Sequence, residues 1–148
     1  MLSLKRALKK QQNQQNQQNI QQNQPNNEQP ISSSSSSPSS SILCVADHNN
    51  MRVSVWSGDG RQHLFNLPVG GHTRGVCVDL HGYLHVSCGY PLHAVHIYDP
   101  RHSFGLIQQL GKQDGGMGLR LGEFNGPTGM CVVDHNTLVV CDFSNHRI

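Results

Sequence analysis

Charge is scarce in this chain of 148 residues: Lys, Arg, Asp and Glu make up 14% of it, and aromatic residues 5%. No apolar run approaches the roughly 20 residues that a membrane-spanning helix needs, which excludes a helical membrane protein. No phosphate loop of the Gly-x-x-x-x-Gly-Lys-Ser/Thr type is present, and no Gly-x-Ser-x-Gly nucleophile elbow. Cys-x-x-Cys is absent too, and no pair of carboxylates marks a cleft for acid–base chemistry. Nothing after the first ten residues forms the apolar stretch of about 7–15 residues that a secretory signal requires. Leu, Val, Ile and Cys do recur in the second half, so the chain is not disordered throughout.

What is present divides in two. Residues 11–41 hold ten Gln, nine Ser, six Asn, three Pro, two Ile and one Glu. Ordering a backbone residue costs about 1–2 kcal/mol, and this composition has little apolar surface to offset it. Residues 1–41 are therefore expected to be a disordered tail. Gln/Asn tracts can stack into cross-β ladders, but Pro25, Pro30 and Pro38 interrupt any long one. The first ten residues carry Lys5, Arg6, Lys9 and Lys10 and no acid, and read as a solvated basic end. Mitochondrial import is a second reading, since the first acid is Glu28. Against it stand the Gln/Asn richness and an apolar helical stripe of only Leu4 and Leu8.

The net charge of +2 is a property of that tail. Residues 1–41 carry four bases and one acid, whereas residues 42–148 carry seven bases and eight acids. All ten His, all five Cys and all eight aromatics lie in 42–148. Nucleic-acid binders cluster their bases. Here Arg52, Arg61, Arg74, Arg101, Lys112, Arg120 and Arg147 are scattered.

An internal repeat organises residues 42–148. Gly75, Cys77, Val78, His81, Leu84 and Val86 fall on Gly129, Cys131, Val132, His135, Leu138 and Val140 at a constant offset of 54. Asp47, Asn50 and Arg52 fall on Asp142, Asn145 and Arg147 at an offset of 95. The middle unit has four apolar, β-branched runs, at 75–79, 84–88, 94–98 and 106–110. Turn formers separate them: His81-Gly82, Tyr90-Pro91 and Asp99-Pro100. Such a unit is a four-stranded antiparallel meander. One sheet cannot bury both its faces, so copies must stack as propeller blades do.

The third unit runs Gly122, Phe124, Pro127 and Gly129, then a strand, a turn, and a strand ending in Asp142, followed by Asn145, Arg147 and Ile148. This resembles the NHL repeat. The first unit matches from its second strand onward. The middle unit is degenerate, with Gly70-Gly71 before its first strand and no Asp-x-x-Asn. WD40 is the competing propeller family; Gly71-His72 fits its start, but no Trp-Asp closes any unit. The resemblance implies an all-β fold: β-propeller blades, about two blades' worth over residues 42–148, in a ring that would need on the order of 250–300 residues if six-bladed. Two stacked meanders leave apolar faces and edges to be covered by further blades or a second chain. The sequence therefore reads as a fragment or one part of an assembly.

Within the repeat, Asp47 and Arg52, like Asp142 and Arg147, flank a strand–turn–strand. They are expected to form a charge-assisted clasp across the hairpin, structural rather than catalytic. Asn50 and Asn145 are expected to bond within the turn. The middle copy has lost both members, with Cys88 or Gly89 for the acid and Ala94 for the base, which avoids one unpaired charge. The Gly/Pro-rich stretch 111–129 reads as the connection between blades, with Met117, Leu119 and Arg120 as a candidate contact loop.

The five cysteines, Cys44, Cys77, Cys88, Cys131 and Cys141, stand at strand positions and suit buried reduced thiols in an intracellular protein. Cys77 and Cys131 share a repeat position, expected to be a small core residue. His85, Cys88, His93 and His96 have zinc-like spacing. Residues three apart on a strand point to opposite faces, however, so no metal site is expected, and no cofactor.

The expected function is a non-enzymatic, protein-binding scaffold in the cytoplasm. The resemblance also implies two other settings: a longer parent of the ubiquitin-ligase type, and RNA binding, against which the near-neutral charge weighs. The enzyme-class alternative is a metal-dependent lyase, as in some similar propellers.

Overall fold

A computed structural model describes residues 41–148. The expectations for the basic end and the Gln/Asn/Ser tail lie outside the described residues. Nine strands run in chain order: β1 (Ile42–Asp47), β2 (Arg52–Ser57), β3 (His63–Pro68), β4 (Thr73–Val78), β5 (Leu84–Cys88), β6 (Ala94–Asp99), β7 (Gly105–Leu110), β8 (Pro127–Val132) and β9 (Leu138–Asp142). Single 3-10 turns stand at His48–Asn50, Pro100–His102 and Phe143–Asn145, and the described residues contain no α-helix.

The strands form three antiparallel sheets in sequence order: β1-β2-β3, β4-β5-β6-β7 and β8-β9. Short β-branched runs broken by turn formers favour this meander over any crossover. The offset of 54 is also a structural register. Val78 pairs with Leu84 and Cys77 with His85, as Val132 pairs with Leu138 and Cys131 with Val139. Both β4 and β8 shift register near their start, between Thr73 and Gly75 and between Pro127 and Met130. The middle sheet's first and last strands begin earlier than expected, at Thr73 and Gly105, and β6 extends to Asp99. The expected connection 111–129 is shorter than read, because β8 begins at Pro127.

The sheets stack face to face. Val53 and Val55 of β2 meet Leu84, Val86 and Cys88 of β5 in one core, closed by Val69, Tyr98 and Phe104. Burying a Val or Leu side chain is worth about 1.5–3 kcal/mol, so this layer holds the first two sheets together. Every residue of β5 is buried, because the middle sheet has a neighbour on each face. Its opposite face meets the third sheet, where Ser87 Oγ donates to the Thr128 carbonyl at 2.5 Å. Gly75 makes that approach possible: a β-carbon there would lie 2.7 Å from the same carbonyl oxygen.

The cysteines do not share one environment. Cys88 is fully buried, Cys44 and Cys77 are partly buried, and Cys131 and Cys141 are exposed. The expectation of a core residue at the Cys77/Cys131 position fails for Cys131. The register puts Cys131 on the sheet face turned away from β4–β7, which no other described strand covers. Burial pushes the Cys88 thiol up to about 12, so it holds almost no thiolate. In mildly alkaline buffer a thiol reagent should modify Cys131 and Cys141 first and Cys88 only on unfolding. Mapping the adducts by mass spectrometry checks this; early labelling of Cys88 contradicts it.

Candidate functional site

Each copy of the repeat pairs the ends of its second hairpin alike, across a 3-10 turn in the first and third copies and a turn one residue longer in the middle one. The last residue of one strand stands opposite the first residue of the next: Asp47 opposite Arg52, Cys88 opposite Ala94, and Asp142 opposite Arg147. The residue just before the returning strand is left-handed in all three, Met51 at φ 52°, His93 at φ 48° and His146 at φ 52°. His93 therefore lies outside β6, not on one strand with His96. In the middle copy the pair is apolar and fully buried, with Cys88 and Ala94 both at 0% exposure. A lone charge there would be costly to desolvate.

In the first copy Arg52 Nε donates to Asp47 Oδ2 at 2.8 Å. Asn50 Nδ2 reaches both carboxylate oxygens, at 2.9 and 3.0 Å. The Arg52 guanidinium, with Asn50 second, holds the Asp47 carboxyl below its ordinary range. This pair is partly solvated, with side-chain exposures of 38% and 27%.

The third copy does more with the same residues. Arg147 Nε donates to Asp142 Oδ2 at 2.8 Å, and Asp142 is 2% exposed. The rest of the guanidinium turns to the preceding loop. Nη1 donates to the Leu119 carbonyl at 2.9 Å, and Nη2 to those of Arg120 and Glu123 at 2.9 and 2.6 Å. Asn145 Nδ2 bridges Asp142 Oδ2 and the Gly118 carbonyl, both at 2.8 Å. The Asn125 amide donates to Asp142 Oδ1 at 2.7 Å. The clasp thus fixes the loop's backbone as well as its own hairpin. Arginine suits this because its planar fork offers five donors in fixed directions.

With the Gly118, Leu119, Arg120 and Glu123 carbonyls turned in, the loop presents apolar side chains to solvent. Met117 is 66% exposed, Leu119 76% and Leu121 95%. Leu121 escaped the sequence reading, although it lies two residues beyond Leu119. The exposed Arg120 is held through its backbone, its amide donating to Glu123 Oε2 at 3.1 Å.

Two further acid–base groupings were not anticipated. Asp99 is 6% exposed and accepts from the Arg101 amide and guanidinium and from His102 Nδ1. Arg101 first, then His102, holds its carboxyl far below the ordinary range. Asp79, at the end of β4's run, accepts from the His81 and Tyr83 amides and from His85 Nε2 at 3.0 Å. Burial raises the Asp79 carboxyl, but the bonds from His85, Tyr83 and His81 outweigh it and leave it lowered. A signal was available in both: an acid stands at the end of a strand with a base close behind it, His85 on the returning strand for Asp79, and Arg101 and His102 in the turn itself for Asp99.

The four zinc-spaced residues have separate roles. His85 is on Asp79, His93 Nδ1 accepts from the Gly126 amide at 3.0 Å, and His96 lies between Tyr98 and Gln109. Cys88 faces the first sheet in the shared core.

Stacked antiparallel meanders, closed at the same turn in each copy, are blades of the β-propeller type. The family model described as NHL repeat matches residues 124–148, and that segment of the chain is an NHL repeat. Asp142, Asn145 and Arg147 all fall within it. No curated protein matches the chain.

Proposed function

We propose that the chain is a non-enzymatic protein-interaction module, the scaffold part of a larger assembly, and that residues 117–121 form its contact loop. One observation carries this: the apolar side chains of Met117, Leu119 and Leu121 stand in solvent on a loop whose backbone Arg147 and Asn145 pin. A pinned loop loses little entropy on binding, so its apolar area contributes to affinity. The NHL match supports the reading, since such repeats serve as interaction modules.

A photo-crosslinking amino acid in place of Leu119 in the full chain tests it. Protein adducts are expected, and they should disappear when Met117 and Leu121 are both changed to Ser. RNA adducts that weaken steeply with salt would replace this reading with phosphate-driven RNA binding. Adducts unaffected by the double change would move the contact elsewhere.

A further inference from the structure

Between the second and third sheets lies a cleft of about 200 Å³. Pockets for drug-sized ligands run to roughly 300–1,000 Å³, so this one has room for a single side chain. Its ionisable lining is Asp79, His85, Asp134 and His135, with no Lys or Arg among the lining residues. Its walls include the apolar side chains of Ile97, Leu110 and Leu138.

His85 is the telling residue. It is 6% exposed, and its ring lines the cleft. Nε2 is committed as donor to the Asp79 carboxylate. In the neutral ring Nδ1 is then a bare acceptor, and it is buried with no partner. A buried acceptor without a donor costs about 1–3 kcal/mol. The Asp134 carboxylate accepts from the Asn136 amide and the Thr137 hydroxyl, at 2.8 and 3.1 Å, and from the Thr137 amide, all within its own turn and none of them a charged donor. The cleft therefore combines two carboxylates and apolar walls, and one of its lining residues, His85, holds a buried acceptor with no donor. No three of the described His, Cys, Asp and Glu side chains converge to hold a metal ion.

We infer that this cleft takes a basic side chain, arginine above all, from a protein partner. The aliphatic stem would lie along Ile97 and Leu138. The guanidinium would bring donors to the Asp134 and Asp79 carboxylates, which line the cleft. Lysine fits the charge but not the planar fork. This rests on the interaction-module reading and supplies the chemistry of the partner.

Titration of the full chain with N-acetyl-arginine amide, followed by NMR of His85 and residues 132–138, tests it. The neutral isostere N-acetyl-citrulline amide is the comparison ligand. Saturable shifts with the arginine probe are expected, with affinity at least tenfold weaker for citrulline and for Asp134→Asn. Asp59→Asn, which removes a remote exposed acid, should bind as the wild type does. Equal binding of the two probes, equal loss in Asp59→Asn, or no saturable shift in the wild type would each overturn the inference. Protein crosslinks from position 119 without arginine binding would discard the cleft and keep the module. Arginine binding without protein crosslinks would do the reverse.

Discussion

Asp142→Ala should destabilise the chain by about 3 kcal/mol in denaturant titration, several times the loss from Asp47→Ala. The two acids share a repeat position but not an environment. Breaking a buried pair by removing one partner costs about 3–5 kcal/mol, because the other charge is left uncompensated. Asp142 is 2% exposed and answers Arg147, Asn145 and the Asn125 amide. The lower end of the range applies because the Arg147 side chain keeps 32% of its exposure. Asp47 and Arg52 are both partly in water, where ion pairs are worth far less. A double-mutant cycle isolates the pair itself. Coupling near zero between Asp142 and Arg147 would remove the clasp as a structural element.

Gly75→Ala should cost about 1–3 kcal/mol, the usual range for overpacking, while Gly129→Ala at the same repeat position should be close to neutral. The added β-carbon at 75 meets the Thr128 carbonyl oxygen at 2.7 Å and Ser87 Oγ at 3.2 Å. The first of these is backbone and cannot rotate away. The sheets must separate, which also strains the bond from Ser87 to Thr128. At Gly129 the nearest atom is Cys141 Sγ at 4.0 Å, an ordinary contact. Neither glycine has a positive φ that only glycine tolerates. Thermal melts of the two variants check this, and equal losses would contradict it.

The strands were legible because the repeat itself spells them. The offset of 54 that aligned Cys77 with Cys131 also turned out to be the pairing register. The Asp–Arg spacing was legible for the same reason: a five-residue separation across a turn brings two strand ends side by side. Arg147's second role was not legible. Its partners are backbone carbonyls 24 to 28 residues earlier, and a carbonyl carries no sequence signature. The same limit hid the face on which Cys131 lies, since its exposure depends on which sheet lies against it. Leu121 was missed because a Gly-rich stretch reads as a connector until something fixes its backbone. The cleft at His85 needs two sheets to exist and belongs to neither unit alone.

Arg147 is the residue that ties a repeat's clasp to the loop beside it. Amide hydrogen exchange of Arg147→Met against the wild type tests this most directly. Faster exchange is predicted at Gly118, Glu123 and Asn125, whose amides bond to Phe124 O, Arg120 O and Asp142 Oδ1. The matching Arg52→Met change should leave those three amides as they were. Unchanged exchange across the loop in Arg147→Met, or an equal rise in Arg52→Met, would contradict it.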